Sequence, residues 1–515
     1  MPKQQTDHLI ELIRSLTKAE KRSFRLFANR QHHTDDKLFI LLFDFIEGNK
    51  DYKESELLKK FPQIRKSQLS NIKANLMKQL LSVLRLLQKD FSESVNITEL
   101  IDHAHIFQSK GMHKAGLEML EKAKRLAERY DDPIFEYLAL DQERKTESSF
   151  ITGSTAFKAG KIMQHSETLL KKINLRNELA NLSLRLYAMY LRFGYVKDEK
   201  DHSFIRDFYE SHLPELNEET LSFYEKIYLC QSRVWYYHMS QDFLNYFKFS
   251  KKWVDTFDGD IRMIRNDIKT YLKGRHNVLN ALYMSGKAGK FVQEYDSFVL
   301  FGAQNQKYFS ASELSDYMLF ANIHLLNKIF LTGNYDEGLK EIEALVSIMK
   351  NNTWQWDENR LITFNYKIAC VWFGADKYNE ALDYLNTIIN NPDRQLRQDI
   401  QCFARILSLI SHYELGNDVL VSYQIKSVYR YLSKMENLQS VQVEILSFLR
   451  KTPNLHPKDL KKAFTGLRTK LTRYQQHPFE KRPFLYLDII AWLDSKITGK
   501  RIQAIIRERV NASLS

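Results

Sequence analysis

The residues that could carry chemistry in this sequence do not form a known catalytic motif. Ser285–Lys290 reads SGKAGK, which resembles the phosphate-binding pattern G-x-x-x-x-G-K-[ST] only superficially. His103 and His105 are two residues apart, so on a helix they point about 200° apart and cannot share a metal ion. Asp336 and Glu337 suit the start of a helix better than acid–base catalysis. We therefore expect no enzymatic activity, no metal and no cofactor.

A polar stripe near the N-terminus is a candidate nucleic-acid contact. Residues 1–90 predict four helices, over 17–29, 36–47, 53–61 and 67–88, and the last two have the order of a helix-turn-helix. Asparagine and lysine suit base edges and phosphates. On the last helix the candidates are Asn71, Asn75, Lys78 and Arg85.

Two features weigh against that interpretation. The stripe holds only two cations, and Met77, Leu81 and Leu84 widen the apolar face, as if the helix packed between two neighbours. A bundle that covers the end of a helical array explains the same residues. We favour that interpretation and keep nucleic-acid contact as the alternative.

The elements that must position any site are predicted to be helices. Glycine (17) and proline (9) are both scarce in 515 residues, which favours long helices over strands and loops. The stretch LTGNYDEGLKEIEAL has Gly333 in a turn, Tyr335 two residues on, small Gly338 at +5 and an apolar stripe after it. The same offsets recur from Asp376, with Tyr378 and small Ala381.

Similar turns recur along the chain about 40–48 residues apart, within the range of helical-repeat periods. A turn glycine ends one helix, and the next helix runs back with its apolar stripe against the first. One hairpin cannot bury both of its faces, so hairpins must stack. The predicted turns lie near Gly111, Gly153, Gly194, Gln241, Gly289, Gly333, Asp376 and Gly416.

This pattern resembles the tetratricopeptide repeat (TPR), on Gly333, Tyr335, Tyr378 and Ala381. The resemblance covers roughly residues 100–435. It implies an all-α fold, a right-handed α-α superhelix, whose groove is lined by the first helix of each hairpin. The period exceeds the 34 residues of that family, and the Trp-x-x-Leu-Gly segment is not evident. A non-repetitive helical bundle remains the alternative. The groove candidates are Asn280, Tyr283, Asn327 and Tyr366.

The basic charge of the chain is concentrated at its two ends. Residues 1–90 hold 18 Lys and Arg against 11 Asp and Glu, and residues 450–515 hold 15 against 5. Such ends could contact nucleic acid or another acidic partner, but charged helix faces are usually only solvated. We expect a helix-turn-helix-like bundle over 1–90, TPR-like hairpins over 91–436 and a basic C-terminal helical cap over 437–515.

Three separated cysteines, no apolar leader and no run long enough to span a membrane predict a cytoplasmic protein without membrane contact. The leading functional hypothesis is a non-enzymatic scaffold that binds a protein or peptide partner in the TPR-like groove. The alternative is a nucleic-acid-associated regulator, with a helix-turn-helix-like N-terminus and a TPR-like sensor domain.

Overall fold

The structure is a computed structural model, and every regular element in its described residues is helical. It describes residues 2–30, 36–49, 51–87, 93–149, 156–351, 353–393, 396–434, 440–452, 455–475, 477, 479–480 and 483–514. The contacts divide the chain into two compact units, residues 1–173 and 174–515. The all-α class expected from the sequence is confirmed for the described residues.

The first unit contains one helix that the sequence analysis missed. The helix Pro2–Ser15 precedes the four expected ones, and it contributes Leu9 and Ile13 to a buried core. The fifth helix in this unit packs against the first three. The helices of this unit are α1 (Pro2–Ser15), α2 (Lys18–Arg30), α3 (Asp36–Gly48), α4 (Glu54–Lys60), α5 (Leu69–Leu87), α6 (Glu93–Ser109), α7 (His113–Arg129), α8 (Pro133–Ser149) and the first part of α9 (Ala156–Phe193).

The second unit is a series of helices that pack mainly against their neighbours in the chain. They follow the end of α9 and are α10 (Glu199–His212), α11 (Phe223–Met239), α12 (Phe243–Asp258), α13 (Ile261–Asn266), α14 (Ile268–Met284), α15 (Ala288–Asn305), α16 (Ala311–Thr332), α17 (Tyr335–Asn351), α18 (Glu358–Gly374), α19 (Tyr378–Ile389), α20 (Gln398–Glu414), α21 (Asp418–Lys434), α22 (Ser440–Lys451), α23 (Pro457–Gln475), α24 (Pro483–Tyr486), α25 (Ile489–Thr498) and α26 (Ile502–Leu514).

Six of the predicted turn residues have positive φ, the left-handed conformation that reverses the chain after a helix. They are Gly111, Gly194, Gln241, Gly333, Asp376 and Gly416. The turn expected at Gly289 is wrong by three residues: Gly286 adopts the left-handed conformation, and Gly289 lies inside α15. The turn expected at Gly153 falls outside the described residues.

A small residue follows the turns at Gly333 and Asp376 because the two helices of each hairpin pack closely there. A Cβ on Gly338 would lie 2.7 Å from Cδ1 of Ile329 on the preceding helix. Ala381, at the equivalent position of the next hairpin, is completely buried. Beyond the hairpin contacts, α14 packs on α16, α16 on α18 and α18 on α20. The first helices of successive hairpins therefore lie side by side.

Within the described part of the chain, no helix combines the length and the apolar character needed to cross a lipid bilayer.

Candidate functional site

Three of the four groove candidates line one cavity in the second unit. This cavity has a volume of about 250 Å³, and Asn280, Tyr283 and Tyr366 lie on its wall. Asn327, the fourth candidate, lies behind that wall and accepts a hydrogen bond from Lys367. Residues predicted from three separate hairpins therefore meet at one place. The cavity is also lined by Tyr190, His276, Cys370, Arg397 and Tyr486.

The cavity lies along the row of first helices. Lys367 and Tyr366 are on α18, His276 and Asn280 on α14, and Asn327 on α16 between them. The helix α18 is buried on several sides, with neighbours on both flanks, because it packs against α16, α17, α19 and α20. A polar side chain from such a helix has little access to bulk water except through a cavity.

Lys367 is the cationic centre of this wall. Its Nζ donates a hydrogen bond to Oδ1 of Asn327 over 2.6 Å. The same nitrogen lies 5.0 Å from the ring centroid of Tyr283 and 5.2 Å from that of Phe330. Burial lowers the pKa of Lys367 to about 8, so the amine is still mostly protonated at neutral pH.

A relay of hydrogen bonds runs behind Lys367 through buried side chains. Nδ2 of Asn327 lies 3.2 Å from Nδ1 of His324, and Nε2 of His324 lies 2.9 Å from Nδ1 of His276. Both imidazoles have lowered pKa values, chiefly because they are buried, and the pKa of His276 falls to about 3. The two rings are therefore neutral at physiological pH.

Arg397 is the second cation on the wall, and it is paired. Its guanidinium donates to both carboxylate oxygens of Asp399, at 3.0 and 2.8 Å, and to Oγ1 of Thr363 at 2.7 Å. Burial alone would lower the pKa of Arg397, but the Asp399 carboxylate raises it above its ordinary value. Arg397 also has positive φ, a strained conformation for a residue with a side chain.

The C-terminal part of the chain completes the cavity. Tyr486 stacks on Phe403 with ring centroids 4.4 Å apart, and its hydroxyl donates to Asp399 over 2.7 Å. A second cavity, of about 440 Å³, shares Tyr283, Cys370 and Tyr486 with the first. Tyr486 therefore lies on the wall of both cavities.

Three of the four groove candidates already make hydrogen bonds to other residues of the chain, Asn327 among them through Lys367 and His324. The amide of Asn280 donates to the hydroxyl of Tyr246 over 3.2 Å. The hydroxyl of Tyr366 donates to the main-chain oxygen of Tyr486. Lys367, which has the clearest ligand-binding chemistry, was missed, although a lysine inside the apolar run NYKIACVWF was a visible signal.

The N-terminal stripe lies on α5 in the first unit. Asn71, Lys78 and Arg85 are exposed, and Asn75 is partly buried. Arg85 forms an ion pair with Asp102 at 3.0 Å. Leu81, expected to widen the apolar face, is instead 52% exposed, so α5 has one buried face and one open face. Nucleic-acid contact by this stripe stays a prediction.

Much of the basic C-terminal helix surface pairs with carboxylates of the same chain. Arg501 bonds Asp336 at 2.8 Å and Asp376 at 2.6 Å, and Arg507 bonds Glu337 at 2.8 Å. Asp336 and Glu337 lie in the first turn of α17, and Asp376 lies in the turn before α19. The positive charge that suggested an acidic external partner is thus partly neutralised within the second unit.

No protein-family model, curated protein or solved structure matches this chain.

Proposed function

We propose that the second unit is a non-enzymatic scaffold that binds a protein or peptide partner in a TPR-like superhelical groove. The observation that carries this proposal is the meeting of Asn280, Tyr283 and Tyr366 at one cavity, with Asn327 directly behind it. Asn280 and Tyr283 lie on α14 and Tyr366 lies on α18, and the sequence predicts all three as first-helix residues of hairpins. A groove lined by those helices accounts for their proximity.

The packing order supports the superhelical part of the proposal. Hairpins that stack in chain order place their first helices next to one another, as α14, α16, α18 and α20 are placed here. The left-handed turns at Gly333, Asp376 and Gly416 end the first helices of three successive hairpins. A non-repetitive bundle has no reason to repeat this arrangement.

The chemistry of the wall suits binding. Tyrosine side chains provide large contact areas at a small cost in conformational entropy, and Tyr190, Tyr283, Tyr366 and Tyr486 all line the cavity. Lys367 and Arg397 add hydrogen-bond donors, which are held by Asn327 and by Thr363 and Asp399. Such a surface selects a ligand by shape and by its acceptors.

Photo-cross-linking tests the proposal. A photoreactive phenylalanine analogue replaces Tyr283 in one protein and Tyr423 in a matched control, since Tyr423 lies on the outer helix α21 and is 80% exposed. We expect one defined protein to be cross-linked from position 283 and not from position 423. Equal capture at both positions, or none at either, would contradict the groove.

The captured protein is then purified and its affinity measured. Tyr283→Ala should weaken binding about tenfold or more, as expected for an aromatic anchor, whereas Tyr423→Ala should leave it unchanged. Circular dichroism of both variants controls for folding. Capture that disappears after nuclease treatment would favour the alternative, a nucleic-acid-associated regulator.

A further inference from the structure

The charge on the cavity wall is unbalanced. Among the described residues that line the cavity, Lys367 and Arg397 are charged and none is Asp or Glu. Asp399 lies behind the wall, and both of its oxygens are used by Arg397 and one also by Tyr486. Nothing described within 4 Å of the Lys367 ammonium is a carboxylate. The wall therefore carries one uncompensated positive charge.

An uncompensated buried charge is unfavourable, and proteins retain such groups mainly where they are used. The contacts of Lys367 are one amide oxygen and the faces of two aromatic rings. Each partly stabilises an ammonium, but none neutralises it. At least one further hydrogen atom of this ammonium remains for another acceptor, because the group has three donors.

The relay behind the wall fixes the orientation of the remaining polar atoms. An ammonium can only donate, so Asn327 must present its oxygen to Lys367 and its NH₂ group to Nδ1 of His324. His324 then carries its hydrogen on Nε2 and donates it to Nδ1 of His276. Consequently His276 carries its own hydrogen on Nε2, the ring nitrogen left for a ligand.

We propose that the cavity binds a carboxylate of the partner, from an acidic side chain or a chain terminus, with Lys367 and His276 as its donors. This inference rests on the proposed function, because the partner supplies the carboxylate. A carboxylate offers two acceptor oxygens and one negative charge, which matches two donors and one unbalanced positive charge. A doubly charged phosphate would overcompensate the wall, and a cation would be repelled.

The experiment measures how fast the Lys367 amine is acylated, because only the unprotonated amine reacts. The full-length protein is treated near neutral pH with a limiting amount of an acid anhydride, and each lysine is quantified by peptide mass spectrometry. Sodium acetate, sodium phosphate and sodium chloride are compared at matched ionic strength. Lys328 is the internal reference, because it is on α16 next to Asn327 in the chain and its Nζ pairs with Asp296 at 3.2 Å.

Acetate should slow the acylation of Lys367 and leave Lys328 unchanged. Each unit by which bound acetate raises the pKa of Lys367 lowers the reactive fraction about tenfold. Chloride should have no effect. Stronger protection by phosphate than by acetate would overturn the assignment of a carboxylate.

The variant Asn327→Asp shows whether the measurement responds to a negative charge at this position. Its carboxylate replaces the amide against Lys367 with almost no change of shape. Lys367 should then react slowly without acetate, and acetate should add nothing. If Lys367 is acylated slowly in this variant but acetate does not slow its acylation in the wild type, the carboxylate site is refuted.

A further result would also refute the site. If Lys367 of the wild type is acylated as fast as Lys328, and if Asn327→Asp does not change that rate, Lys367 is an ordinary solvated amine. Neither refutation affects the cross-linking result, which reports the presence of a partner at position 283.

His276→Phe retains a ring that can stack on Phe320, and it removes the second donor. Acetate protection should be weaker in that variant.

Discussion

The hydroxyl of Tyr366 donates a hydrogen bond to the main-chain oxygen of Tyr486, 3.1 Å away and 120 residues later in the chain. The acceptor belongs to a short segment that is also held by the stacking of Tyr486 on Phe403. Tyr366 is almost completely buried, so this bond is protected from water. It fixes the C-terminal segment against the wall of the cavity.

Removal of this hydroxyl should loosen the segment locally. Tyr366→Phe removes the hydroxyl donor to the Tyr486 oxygen and leaves only the Cys370 thiol, 3.9 Å away, at a cost of about 0.5–1.5 kcal/mol. We expect faster hydrogen exchange of the amides of residues 486–489, measured by mass spectrometry. Tyr413→Phe is the matched control, because in the described residues the Tyr413 hydroxyl has no hydrogen-bond partner and its ring packs on Phe464 and Trp492. Equal exchange in the two variants would contradict the prediction.

Arg501 should hold α26 to the turns of the second unit. The side chains of its two carboxylate partners, Asp336 and Asp376, are 46% and 32% exposed, and exposed ion pairs contribute roughly 0–1 kcal/mol each. Arg501→Gln should therefore increase the exchange of amides in α26 severalfold, and added salt should reduce the difference from wild type. Lys500→Gln is the control, because Lys500 pairs with Glu508 of α26 rather than with a turn of the second unit. A salt-independent difference would point to a packing effect.

The close approach at Gly338 predicts opposite effects for two glycine substitutions. Gly338→Ala forces the new Cβ into Ile329, and such overpacking lowers the free energy of unfolding by about 1–3 kcal/mol. Gly466→Ala adds a methyl group to α23 with no other atom within 4 Å, so the helix propensity of alanine should raise stability by up to about 1 kcal/mol. Chemical denaturation measures both. A stabilised Gly338→Ala protein would mean that the hairpin is looser than described.

The neutral pair His276–His324 should make the second unit sensitive to acid. Burial is the main cause of both lowered pKa values; the charge of Lys273 also acts on His276, while His276 and Lys367 act on His324. When the pH falls below the ordinary histidine pKa of 6.5, these histidines become protonated in the unfolded chain but stay neutral in the folded chain. The free energy of unfolding should then fall by about 1.4 kcal/mol per pH unit for each histidine.

The comparison that isolates this effect is a double variant, His276→Gln with His324→Gln. Other histidines and carboxylates titrate in both proteins, so only the difference between the slopes reports the pair. Denaturant unfolding at about pH 7 and about pH 5 should give a shallower slope for the variant. Parallel slopes would show that neither imidazole has a lowered pKa in the folded protein.

The parts of the fold that the sequence predicts are those with a local physical cause. A residue that must reverse the chain is marked by its own type and by the helix periodicity around it, as at Gly333 and Gly416. Even Gln241 and Asp376, which carry side chains, are recognisable because the spacing of the hairpins requires a turn there.

The remaining parts depend on neighbours that are distant in sequence. Nothing near Tyr366 indicates that residue 486 will accept its hydrogen bond, and nothing near Arg501 indicates Asp336. The relay from Lys367 to His276 crosses three hairpins, so its members are ordinary polar residues until the helices pack. For this reason the sequence indicated first-helix residues but chose Asn280 and Tyr366, whose side chains already donate hydrogen bonds within the chain, and overlooked Lys367.

The position of Tyr486 on the cavity wall has a consequence for biosynthesis. A ribosome produces the chain from its N-terminus, so the hairpins from α14 to α20 emerge well before residues 483–486. Until those residues are synthesised, the Lys367 side of the cavity lacks its final wall and Phe403 lacks its stacking partner. The nascent protein therefore acquires a finished pocket only after residues 483–486 have been synthesised.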